Sequence, residues 1–323
     1  MLRKMMQRRI ILVACCLSTA ASAFAQVGAP QLGWVPDGTR IRPVYGISAA
    51  AAVGAPIPVD QDFALIAASP ARNYVLVAAA DTGTVSLYTT LLRFVPLAGA
   101  GSAPDSVTLS PLGSAAALWF SSMNQIQVIT GLPDAPAIRQ LDASFLGSAP
   151  GTLAISDDGA WVAGTWIAGT GTSGLYAFGP NGEVNQLPVE SATAVGFFQG
   201  SHNLAAAGPA GLQMVTSVEG FAIVSNPLTS ADSSLQPIGV AATSGNRTLV
   251  LADQSGSLTT IDITSGAAVT SDCGCQPLGL FGMAPSEFRL TGLEGGAFKL
   301  FNAASGEILF VPLALSETEG AGQ

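Results

Sequence analysis

The feature that most constrains this chain is a repeat. A short apolar run enters a Ser, Pro, Asp or Gly turn and a second apolar run leaves it, six times over. The turns start at Ser69, Ser110, Ser156, Phe198, Thr243 and Ala284, so successive spacings are 41, 46, 42, 45 and 41 residues. Each turn is followed by another hairpin of the same style, as in Asp81–Tyr88, Gly174–Glu183, Asp253–Asp262 and Gly296–Glu307. Two hairpins in about 43 residues make one four-stranded antiparallel sheet per repeat. Such a sheet is apolar on both faces and cannot bury them alone. Stacking the sheets around an axis buries both faces, and closing the ring protects the strand edges.

The expected fold is therefore all-β, a β-propeller over residues 26–313 with a flexible C-terminal tail at 314–323. A parallel β-helix has a shorter period, and a helical solenoid needs a 3.6-residue periodicity that is not found. Residues 32–44 form a further hairpin around Asp37-Gly38. The 298 residues after position 25 divide by 43 into about seven, so seven blades are expected. Six blades plus an N-terminal hairpin is the alternative. Composition agrees with many short strands. The 37 glycines and 20 prolines supply turns throughout, and 49% hydrophobic residues against 10% charged ones supply a core rather than disorder.

The N-terminus reads as a signal peptide over residues 1–25. Met1–Arg9 is basic, Ile10–Phe24 is apolar and small, and Ala23-Phe24-Ala25 offers a cleavage site before Gln26. The apolar part, about 15 residues, is short of the roughly 20 that a membrane span requires. A lipoprotein anchor at Cys15 is the lesser alternative, because five residues between Arg9 and Cys15 leave little apolar region. A periplasmic or extracellular location is expected, with no membrane span after processing. The net charge is −9, and four of the twelve basic residues lie in the first nine positions. Removing residues 1–25 leaves 8 basic residues against 21 acidic ones. A chain this acidic lacks the cationic footprint of nucleic-acid binding.

The turn-plus-hairpin pattern over residues 28–313 resembles the repeats of secreted bacterial propellers of the YVTN/WD40-like class. The Gly-His and Trp-Asp signatures of true WD40 repeats are absent, as is a literal Tyr-Val-Thr-Asn. The resemblance implies an architecture; propellers of this class mostly bind partners, and a minority are enzymes.

Candidate chemistry is sparse. His202 is the sole histidine and lies in the turn Gln199–Asn203, where a solvated turn residue is expected; a single imidazole excludes zinc hydrolysis and propeller enzymes that use several channel histidines. Inner strands are expected to open near Asp62, Asp105, Gly151, Glu190, Gln236 and Gln276. If these converge at a channel mouth, the carboxylates of Asp62, Asp105 and Glu190 offer oxygen ligands for calcium, an arrangement that resembles propeller lactonases. Asp81, Asp157, Asp158 and Asp253 are explained as turn residues. Trp119, Trp161 and Trp166 are expected to pack between blades. Cys273-Gly-Cys275 holds the only cysteines after position 25, and in an oxidising compartment a disulfide is expected, with a local role.

The expected function is that of an exported, non-enzymatic, monomeric scaffold for a protein, peptide or glycan partner, without a cofactor. A calcium-dependent lactonase-type hydrolase and a cell-surface adhesive module are the alternatives.

Overall fold

A computed structural model describes residues 30–314, apart from 92, 168–172, 221–222, 230–231 and 233. The expected signal peptide, Cys15 and the tail beyond 314 lie outside the described residues. Seven antiparallel sheets follow one another along the chain, six of four strands and one of three. The fold is a seven-bladed β-propeller, and the hairpin around Asp37-Gly38 opens the first blade. Each blade is built from consecutive strands, from the axis outward. The inner strands are Gln31–Asp37, Phe63–Ala68, Ser106–Leu109, Thr152–Ile155, Ala194–Phe197, Pro237–Ala242 and Phe281–Ala284. Among the described residues, no helix is long and apolar enough to cross a membrane.

The recurring hydroxyl at the turns has a physical cause. Ser69, Ser110, Ser156 and Thr243 are buried at the point where the inner strand ends. The Oγ of Ser110 accepts the backbone N–H groups of Ser114 and Ala115, both at 3.1 Å, and that of Ser156 accepts Trp161 N–H at 3.0 Å. A buried backbone donor at a tight turn needs such a partner. The second strands are the most deeply buried. Every residue of Tyr74–Ala79 and Ala116–Phe120 is buried, because both faces meet a neighbouring blade.

Blades pack through alternating large and small side chains. Between blades 2 and 3, Tyr74, Leu76 and Leu87 meet Ala116, Leu118 and Phe120. Each such side chain contributes about 1.5–3 kcal/mol on leaving water. The three tryptophans are buried, as expected for packing between blades: Trp119 and Trp166 join Phe178 in one cluster, and Trp161 joins the next.

The ring closes unusually economically. Blade 1 has three strands, the third only Ala52–Val53. Leu313, just after the last outer strand Glu307–Pro312, bridges Val53 in parallel, and Ala314 N–H donates to Val53 O at 2.8 Å. Ser48 adds a hydrogen bond from its hydroxyl to Glu287 of blade 7. The C-terminal end of the described chain thus meets the outermost strand of blade 1.

Candidate functional site

The inner strands all run the same way along the axis and enclose a channel of about 530 Å³. All seven contribute to its wall. Most of that wall is aliphatic, including Ile66, Val107, Leu153, Ile238 and Leu280. Inner strands lie closest between blades 5 and 6. There a Cβ on Gly196 would stand 2.3 Å from the carbonyl oxygen of Val240, so only glycine fits at that point. Two cations reach the channel, Arg72 from the blade 2 turn and Arg289 from the second strand of blade 7. At the end where the inner strands begin, Leu278 and Phe281 are 59% and 42% exposed, which places apolar surface in water beside the channel.

The expected carboxylate cluster does not assemble around this channel. Asp62 does precede the inner strand of blade 2, but its carboxylate is engaged by Arg40 Nε at 3.1 Å and the Thr39 hydroxyl at 2.9 Å. Asp105 precedes the inner strand of blade 3 and accepts Ser121 N–H at 2.6 Å, which lowers its pKa below the ordinary aspartate value. Glu190 is the last residue of the outer strand of blade 4, paired with Gly174, and does not open an inner strand. None of the three lines the channel. Gly151 and Gln236 are likewise held in backbone bonds, to Thr165 O and the Asp253 carboxylate. Among the described residues, no group of three histidine, cysteine or acidic side chains is placed to hold a metal ion.

On the face where the inner strands end, polar side chains tie blade to blade. The Tyr74 hydroxyl donates to Gly113 O at 2.8 Å, linking blades 2 and 3. Asp157 then accepts Leu112 N–H of blade 3 and Gly200 N–H of blade 5, each at 2.7 Å. Asn246 exchanges two hydrogen bonds with the backbone of Gln199, at 2.9 and 2.8 Å, and Ser244 N–H donates to Pro285 O at 2.7 Å.

His202 belongs to this girdle and is not a free turn residue. Its Nε2 lies 2.8 Å from Asp158 Oδ2 of blade 4, and its Nδ1 contacts Glu219 of its own blade. Burial works against the charged imidazole, but the hydrogen bonds and charges of Asp158 and Glu219 outweigh it. The pKa of His202 is therefore raised above the ordinary histidine value. Both ring nitrogens face carboxylates, so the imidazolium is clamped, and among the described residues no nucleophile bonds it to complete a catalytic relay.

Cys273 and Cys275 are joined as a disulfide with Cα atoms 5.1 Å apart, at the crossing from blade 6 to blade 7. Cys273 is buried among Val250, Ala252 and Phe288. Lys299 of blade 7 donates through Nζ to the carbonyls of Cys273 and Gly274, both at 2.7 Å, so the loop is held by two devices.

The sequence matches no family model and no curated protein. Solved structures with the same fold are numerous. A streptogramin B lyase is 14% identical, with a TM-score of 0.53, covering 76% of this chain and 80% of that one. A functionally unknown protein from Desulfotomaculum acetoxidans DSM 771 is 15% identical at a TM-score of 0.57, with coverages of 87% and 99%. Apo AztD from Citrobacter koseri is 12% identical at a TM-score of 0.58, with coverages of 91% and 85%. At such identities the likeness is one of fold, shared by proteins of different roles. The chain is a seven-bladed β-propeller.

Proposed function

We propose that the protein is an exported, non-enzymatic binding propeller whose partner enters the central channel at the end where the inner strands begin. The carrying observation is the continuity of the exposed apolar residues Leu278 and Phe281 with an aliphatic channel of about 530 Å³. Concave, mostly apolar sites with a few polar anchors are the usual form of ligand pockets. The apolar side chains at the channel mouth favour a peptide or another ligand with an apolar body. The calcium-hydrolase reading draws no support from Asp62, Asp105 and Glu190, which stand in three different blades and outside the channel. Export rests on the pattern of residues 1–25.

The test combines photo-crosslinking of the full-length protein in the cell with an activity screen of the purified protein lacking residues 1–25. Photo-crosslinkers replacing Leu278 or Phe281 should capture a partner in the secreting cell, whereas one at Val269 on the outer strand of blade 6 should not. Equal capture at all three positions, or clear turnover in a broad hydrolase and lyase screen, overturns the reading.

A further inference from the structure

One side chain in the channel has no internal explanation. Arg289 is only 8% exposed, yet no carboxylate lies within ion-pair distance of it among the described residues. Its one hydrogen bond among the described residues runs from Nη1 to Thr291 O, at 2.8 Å. A guanidinium carries five N–H donors, so four are left without an acceptor among the described residues and are free to meet water or a ligand in the channel. Burial lowers its pKa to about 10, which still leaves it charged at neutral pH.

The surroundings hold this cation in a fixed pose. Arg289 pairs in register with Phe281 of the inner strand, and its guanidinium carbon lies 4.2 Å from the centre of the Phe281 ring. The ring is itself backed by Gly279, where a Cβ would stand 3.3 Å from it. A flat guanidinium on an aromatic face keeps its edge free for bidentate hydrogen bonding. The repeat shows that the charge is not a demand of the fold. The residues that pair with the first residue of the inner strand in blades 2 to 6 are Ala79, Trp119, Thr165, Ala207 and Asp253, and none is a cation.

We propose that Arg289 is the anion-recognition group of the channel, and that the ligand is an amphipathic carboxylate. The carboxylate sits on the guanidinium fork and the apolar stem runs along Val107, Leu153, Ile238 and Leu280. This rests on the reading of the channel as the binding site and adds the chemistry of what it takes. Two sources offer that chemistry, a free fatty acid and the C-terminus of an apolar peptide.

Calorimetric titration of the protein lacking residues 1–25 separates the possibilities. The probes are decanoate against decanol, and acetyl-trileucine as its free acid against its C-terminal amide. At least one acid should bind tenfold or more tighter than its neutral counterpart, and the pair that does so identifies the source. Arg289→Gln should abolish that preference, and Arg72→Gln should leave it intact. Equal affinity of acid and neutral probes overturns the role of Arg289 but keeps the channel as a binding site. Binding of no probe overturns the proposal, as does a preference that survives in Arg289→Gln or disappears in Arg72→Gln. Should Arg289→Gln fail to fold, the acid-to-neutral ratio of the unmodified protein remains decisive, and Arg289→Lys must lower it.

Discussion

Asp157 makes the sharpest stability prediction, because one exposed-looking turn residue ties three blades together. Its two carboxylate oxygens accept Leu112 N–H of blade 3 and Gly200 N–H of blade 5, each at 2.7 Å, and its own backbone carbonyl accepts the Ser114 hydroxyl. A hydrogen bond to a charged group contributes about 1.5–3 kcal/mol net when it is sheltered. Asp157 is half-buried, so water replaces part of each bond, and about 1 kcal/mol apiece is the reasonable size. Asp157→Ala should therefore cost about 2 kcal/mol, and Asp157→Asn about half of that, since one oxygen acceptor survives. For a domain of this size the Ala variant should melt about 4 °C lower. Urea unfolding followed by tryptophan fluorescence gives the free energy, and hydrogen exchange at Leu112 and Gly200 should speed up selectively. Asp81 is the control. Its carboxylate accepts only the neighbouring Thr82 N–H, at 2.8 Å, so Asp81→Ala should stay within about 0.5 kcal/mol. If Asp157→Ala costs no more than Asp81→Ala, the blade-to-blade latch contributes nothing and the reasoning fails.

The remaining predictions concern the clamp, the channel wall and the bridge. The pKa of His202 is raised in the folded protein above its unfolded value, about 6.5, so its contribution is complete below that pH and is lost as pH rises through the folded pKa. The difference in urea midpoint between wild type and His202→Gln should thus shrink from pH 5.5 to pH 8.5, by an amount worth about 0.5–1 kcal/mol, and a difference that grows with pH would contradict the assignment. Gly196→Val drives a Cβ into the Val240 carbonyl, only 2.3 Å away, and should destabilise by about 3 kcal/mol; an unchanged urea midpoint would show that the inner strands can part freely. Replacing Cys273 and Cys275 together by Ser should cost at most about 1–2 kcal/mol, since the closed loop is minimal and the Lys299 bonds remain. Alkylation mass spectrometry of the exported protein without reductant should find neither thiol free.

Much of the architecture was legible because a propeller writes its period into the sequence. The turn positions 69, 110, 156, 198, 243 and 284 each fall where an inner strand ends, and Asp37-Gly38 marks the extra blade. The carboxylates were harder to read for a geometric reason. Asp81 and Asp157 have the same local chemistry, an acid beside a turn glycine, and differ only in which blade lies within reach. His202 meets Asp158, 44 positions away, and such partners are set by the angle between blades rather than by spacing. Glu190 was misplaced because its outer strand runs on to residue 190 with a register shift near Gly174, so only three residues separate it from the next inner strand at Ala194. Local pattern does not tell the end of one blade from the start of the next across so short a crossing.

The repeat also supplies a standard against which function can be sought. Seven blades place seven residues at each structural level, and packing alone asks for similar side chains at all of them. Where one departs at a cost the fold does not repay, selection for something other than packing is the economical explanation. Thr165 at its level bonds the backbone of Thr152, 3.1 Å away, and Asp253 accepts the backbone N–H of Ser255 at 2.9 Å, so each is explained inside the protein. Arg289 meets no carboxylate among the described residues. The strongest departure from the repeat and the opening of the apolar channel thus coincide at Arg289 and Phe281, which is where a ligand would be recognised.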